Sequence, residues 1–112
     1  MDSLKEKYRQ IVETTLQDYA AFIGQEEGIQ QQLIFDRDHD HYLLLETGWQ
    51  RQKRIYGAFI HLDIIDNKVW IQHDGTEEGI AYELEVAGIP KDHIVLAFKS
   101  PERRKLTEYA VS

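Results

Sequence analysis

The residues best suited to chemistry in this chain are its five histidines and the carboxylates around them. The run Asp36-Arg37-Asp38-His39-Asp40-His41 alternates carboxylates with imidazoles, a mixture of oxygen and nitrogen donors that could gather around a divalent ion. A calcium loop needs Gly at its sixth position and a bidentate Glu at its twelfth. Counted from Asp36, those positions hold His41 and Thr47. The favoured reading of this run is therefore a solvated hairpin tip held open by its own charges. His61 and Asp63, two apart on a predicted strand, point the same way and could form an acid-base arrangement with His73-Asp74 across a hairpin. No nucleophile or oxyanion-stabilising group accompanies them. A polar sheet face, or an imidazole held by a carboxylate, is preferred to a catalytic centre.

Other signatures of chemistry are missing. No two histidines have the helical spacing of a zinc protease, and neither common glycine-rich phosphate loop occurs. Asp74-Gly75-Thr76 precedes a predicted helix, but Glu77 and Glu78 would repel a phosphate there, so an ordinary helix cap is the better reading. With no cysteine, disulfides, thiolate metal sites and a cysteine nucleophile are excluded, and a reducing cytoplasm is the natural compartment. No catalytic, cofactor-binding or metal-binding residue is assigned, no cofactor is expected, and the chain is expected not to be an enzyme.

Two basic segments remain, Arg51-Gln52-Lys53-Arg54 with Trp49 and Tyr56 nearby, and Lys99 to Lys105 with Arg103 and Arg104 inside it. Aromatic and basic side chains together could stack on and neutralise nucleic acid, but Trp, Tyr and Arg are equally the usual hot-spot types of protein interfaces. The formal charge of -7 repels a phosphate backbone and favours the protein interface. Trp49, Arg51, Lys53, Arg54, Tyr56, Arg103 and Arg104 are the partner-interface candidates. Direct DNA binding through the same basic segments is the alternative, and self-association is left open.

The elements that must carry these residues are legible from spacing. Leu4, Tyr8, Ile11, Val12, Leu16, Tyr19 and Phe22 form one helical stripe of about five turns. Ser3 and Glu6 have the form of a capping box, and Gly24-Gln25-Glu26-Glu27-Gly28 supplies the stop. From Ile29 the period becomes two, with Ile29, Gln31, Leu33 and Phe35 on one side. The charged loop 36–40 and a second apolar run, Tyr42 to Leu45, complete a hairpin. Gly48 to Lys53 reads as a polar connection carrying Trp49, followed by a long central strand from Arg54 to Ile65. Asp66-Asn67 predicts a tight turn, after which Val69 to Gln72 returns beside that strand. Ile80, Ala81, Leu84 and Ala87 predict a short helix ended by Gly88-Ile89-Pro90. A final strand, Ile94 to Phe98, has too few polar residues for an exposed edge.

These elements predict one α+β domain over residues 1–112, with a mainly antiparallel sheet of about five strands (two hairpins plus a C-terminal strand) covered by two helices. The N-terminal residues lack a secretory pattern and no apolar run approaches a membrane span, so the protein is expected to be untargeted, cytoplasmic and without membrane contact.

Over nearly its whole length the chain resembles the XisI family of fdxN element excision controlling factors. The stretches that carry the resemblance are Tyr8-Arg9-Gln10-Ile11, Gln32-Leu33-Ile34-Phe35-Asp36, Gly48-Trp49-Gln50, Arg54-Ile55-Tyr56-Gly57 and His61-Leu62-Asp63-Ile64. It continues through Lys68-Val69-Trp70-Ile71-Gln72, Asp74-Gly75-Thr76-Glu77, Gly88-Ile89-Pro90-Lys91, Ile94-Val95-Leu96-Ala97-Phe98 and Pro101-Glu102-Arg103-Arg104. The resemblance implies a cyanobacterial-type accessory protein. With an XisH-like subunit as partner, it would help a separate site-specific recombinase excise a DNA element during heterocyst development. It supplies no catalytic residues, and the link to recombinase and DNA that it implies is indirect.

Overall fold

The computed structural model describes residues 3–23 and 26–112. Helix α1 (Leu4–Ile23) begins where the sequence places it, with the Ser3 hydroxyl accepting the Glu6 N–H at 3.0 Å. The expected stop at Gly24-Gln25 lies outside the described residues. Strands β1 (Ile29–Asp36), β2 (His41–Gln50), β3 (Lys53–Ile65) and β4 (Lys68–Asp74) form an antiparallel meander, and β5 (Ile94–Val95) adds to β4 in parallel. Helix α2 (Ile80–Val86) bridges β4 and β5, and a single turn, α3 (Pro101–Arg104), lies near the C-terminus. The result is the expected α+β fold. Among the described residues, no helix is long and apolar enough to cross a membrane.

One face of the sheet carries the core. Tyr42, Leu44, Ile60, Leu62, Ile64, Val69 and Ile71 are buried in one cluster with Tyr8, Val12 and Leu16 of α1 and Ile80 and Leu84 of α2. The punctuation follows local chemistry. Asp66 and Asn67 both take positive φ, 51° and 61°, the pair of left-handed residues that a two-residue hairpin turn needs. At the end of α2 the Ile89 N–H reaches the Leu84 carbonyl and the Gly88 N–H reaches that of Glu85. Gly88 sits at φ 117°, and Ile89 folds back into the core.

Four expectations change. The segment Gly48 to Lys53 is not a connection: β2 runs through Trp49, which pairs with Arg54 of β3, and only Arg51-Gln52 turns. The last strand is two residues long and lies at the sheet edge. Apolar Ile94 and Val95 survive there because the C-terminal segment closes over them, with Val95 bridged to Ala110 and the Ala110 N–H donated to Ile94. Phe22 leaves the stripe and is 84% exposed, because the core-facing positions of the last turns are taken by Tyr19, Ala20 and Ile23. The loop 36–40 keeps Arg37, Asp38 and His39 exposed, but it does not stand free: ion pairs tie both of its ends to α1. Arg37 pairs with Glu13 at 2.7 Å and Glu6 at 3.0 Å, and Arg9 reaches Asp40 at 2.8 Å.

Asp40 is only 5% exposed, and the Tyr42 hydroxyl also donates to it at 2.9 Å. Burial alone would push its carboxyl pKa up. The hydrogen bonds from Arg9 and Tyr42 and the charges of Arg9 and Lys5 outweigh that and hold it below the usual value. A carboxyl with a lowered folded-state pKa stabilises the fold at neutral pH, and this contribution fades as acid protonates it. Asp40→Asn keeps a residue that tolerates the left-handed backbone at φ 58° while removing the charge. It should cost about 2 kcal/mol in urea unfolding at pH 7, with the difference from wild type shrinking below about pH 4. A loss under about 0.5 kcal/mol would show the pair to be incidental.

Candidate functional site

The meander brings together residues that are distant in sequence at both ends of the β2–β3 pair. At the turn end, Trp49 stands across from Arg54, and Tyr56 lies two residues further along the same face of β3. The Arg54 guanidinium sits 5.4 Å from the Trp49 ring centroid and 5.9 Å from that of Tyr56, held over both by cation–π attraction. It also donates to the Gly48 carbonyl at 3.3 Å. Trp49 is 54% and Tyr56 71% exposed, and Arg51 and Lys53 project from the turn. Five of the sequence candidates thus share one protruding hairpin tip that is aromatic and basic on an otherwise acidic protein.

The remaining two candidates lie elsewhere and differ from each other. Arg103 is exposed on α3. Arg104 is half-buried, donates to the carbonyls of Leu96, Ala97, Lys99 and Val111, and lies 5.5 Å from the Trp70 ring centroid. Its hydrogen bonds hold the C-terminal segment against the sheet edge, so its fork geometry is used inside the molecule.

At the other end of the pair, the face of the sheet opposite the core carries a polar cluster. The ladder sets Asp36 opposite His41, His41 opposite Asp63, and Asp63 opposite Trp70. His41 Nδ1 lies 2.7 Å and His61 Nε2 2.8 Å from the same oxygen, Asp63 Oδ1, while Gln72 donates to Oδ2 at 3.2 Å. Asp63 is 7% exposed, whereas His41 faces solvent. The hydrogen bond to Asp63 raises the His41 pKa above its ordinary value. The sequence pairing of His61 with Asp63 therefore forms, but with a different third member. His73 stands opposite His61 in the ladder without joining the cluster, and Asp74 caps α2, accepting from the Ile80 N–H at 2.9 Å and from Thr76. His41 was missed as a partner because its signal is the strand register, which brings together residues 22 apart in sequence. His39 bonds Asp36 at 2.9 Å, and His93 is engaged by Tyr8.

A second surface escaped sequence reading. Ile11, Tyr19, Phe22, Phe59, Val86 and Ala87 line a groove between α1 and α2, rimmed by Asp18, Glu77, Glu78 and Glu83. The signal for it was Phe22, the last member of the apolar stripe, which lies off the core-facing side that Ile23 takes.

Together these features define a small α+β protein with one sheet face covered by helices, the other bare, and an exposed aromatic-basic hairpin. The family model described as "XisI protein" matches residues 1–111, and the chain belongs to that family. Among solved structures, an XisI-like protein from Anabaena variabilis ATCC 29413 is 37% identical with a TM-score of 0.90, the match covering 96% of this chain and 99% of that one. The fdxN element excision controlling factor XisI from the same organism is 33% identical with a TM-score of 0.86, covering 98% and 100%. No curated protein matches the chain.

Gly48 fixes where Trp49 stands. Its φ is 149°, and a Cβ there would meet the Gly28 carbonyl oxygen at 2.0 Å, beside the Trp49 N–H to Gly28 bond. Gly48→Ala should therefore cost about 1–3 kcal/mol in chemical denaturation and shift the Trp49 fluorescence. An unchanged midpoint and spectrum would contradict this placement.

Proposed function

We propose that the chain is a non-catalytic controlling factor in the excision of a DNA element, acting by contact with an XisH-like subunit and, through it, on a recombinase. Family membership supports the excision-control part of this reading, since the relative named above is itself an excision controlling factor. The observation that carries the mode of action is the hairpin tip. Two exposed aromatic rings bracket an arginine, the residue types that dominate binding energy at protein interfaces, and β-pairing already holds them in place. Pre-ordering lowers the side-chain entropy lost on docking. Contact through a partner also agrees with the charge of -7, which opposes wrapping on a phosphate backbone.

The test is co-expression with an XisH-like protein followed by size-exclusion chromatography and titration. The wild-type pair should co-elute, and Trp49→Ala with Tyr56→Ala should weaken the complex by about 30-fold or more while leaving the melting temperature near wild type. Separate elution of the wild-type proteins at micromolar concentration would defeat the reading. A salt-dependent mobility shift of element-end DNA by the chain alone would transfer the role of the hairpin to DNA.

A further inference from the structure

We propose that His41, His61 and Asp63 form a binding site for a borderline divalent cation, with zinc the best match, on the bare face of the sheet. This is independent of the partner reading, because the site lies at the opposite end of the β2–β3 pair from the hairpin tip.

Three observations converge. First, one donor atom from each residue falls within a group whose members all lie within 4.8 Å of one another, the one such cluster of three among the described residues. A tetrahedral zinc with bonds of about 2.0–2.1 Å needs its ligand atoms about 3.4 Å apart. The separations of 2.7 and 2.8 Å to Asp63 Oδ1 would open by about half an ångström, within the reach of side-chain rotation.

Second, the scaffold is rigid and the carboxylate is oriented. His61 and Asp63 sit two apart on β3, so their side chains share a face, and His41 is locked opposite Asp63 by strand pairing. Gln72 holds the other carboxylate oxygen from β4, the supporting contact that a metal-binding carboxylate ordinarily has. Third, the outer side is open: His41 is exposed and His61 half-buried, leaving coordination positions for water or an incoming group.

Two imidazoles with one carboxylate select zinc, nickel or cobalt over magnesium and calcium, which prefer oxygen alone. On binding, His41 Nδ1 and His61 Nε2 present lone pairs to the ion. Each neutral ring then carries its proton on its other nitrogen. The ion takes over the position between the rings and Asp63 that hydrogen bonds now fill.

The experiment uses the full chain stripped with chelator, titrated calorimetrically with zinc, cobalt and magnesium chlorides and followed by thermal unfolding. Expected are one saturable zinc site per chain and a rise in melting temperature reversed by chelator. Cobalt should give visible absorption bands of low-coordinate nitrogen and oxygen ligation, and magnesium no response. His41→Ala, an exposed change that the fold should tolerate, and His61→Ala should each abolish the one-to-one site. Gln72→Ala should weaken it about tenfold or more. His73→Ala, outside the cluster, should leave it intact. No zinc response in the wild type would overturn the site. So would one-to-one zinc binding that persists in His41→Ala and His61→Ala.

Discussion

A buried carboxylate at the start of β2 sets how the helix layer meets the sheet. Asp40 sits where the β1–β2 turn closes, in a left-handed conformation that aims its side chain at α1, and there it receives Arg9 and the Tyr42 hydroxyl. Removing one partner from such an arrangement strands a desolvated charge or hydroxyl, so the three groups stand or fall together. Arg37, three residues earlier, repeats the attachment with Glu6 and Glu13 on the same helix. β2 starts at the residue after Asp40, and from there side chains alternate: Tyr42 enters the core, so His41 stands on the opposite face, where pairing with β3 brings it beside Asp63.

Much of this architecture was legible in the sequence because the information was local. The α1 stripe from Tyr8 to Tyr19, the Asp66-Asn67 turn and the Gly88-Ile89-Pro90 stop each depend on residues near each other in sequence, and all appear where spacing and φ preference put them. What was hidden depended on partners far along the chain. The 36–40 run looks like a solvated tip by composition, yet its fate is decided by Arg9, 31 residues before Asp40. Gly48 to Lys53 looks like a loop because it is polar, but polar residues are at home on an exposed strand when pairing with β3 satisfies the backbone. Ile94 to Phe98 looks like a full strand because it is apolar. It stops after two residues because the chain turns at Ala97-Phe98, with the Ala97 N–H donated to Val95, and Arg104 takes the carbonyls of Leu96 and Ala97 that the turn leaves.

The same distinction divides the site residues. Trp49, Arg54 and Tyr56 could be grouped by proximity in sequence, and the hairpin gathers them as neighbours. Arg104 was grouped with them by charge alone, and its four backbone acceptors show a different use for the same chemistry. His41 had no local cue linking it to Asp63. Only the register of β2 against β3 does so, and that register is enforced by the burial of Tyr42 and Leu44 on one side and Ile60 and Leu62 on the other.

The His41–Asp63 pair at one end of the β2–β3 ladder and the Trp49–Arg54 pair at the other are separated by eight ladder steps, about 27 Å at the rise of an antiparallel strand. Surfaces so far apart, with no shared side chain, should respond to substitution independently. An effect on the hairpin tip that tracked occupancy of the histidine cluster would then have to travel through the strands themselves. The β-bulges between Leu44 and Leu45 and between His61 and Leu62 are the places where that path could bend. One of them lies within the cluster and the other on the way to the tip. A cation drawn between His41 and His61 would thus pull on β3 beside one of these irregularities, the bulge at His61 and Leu62.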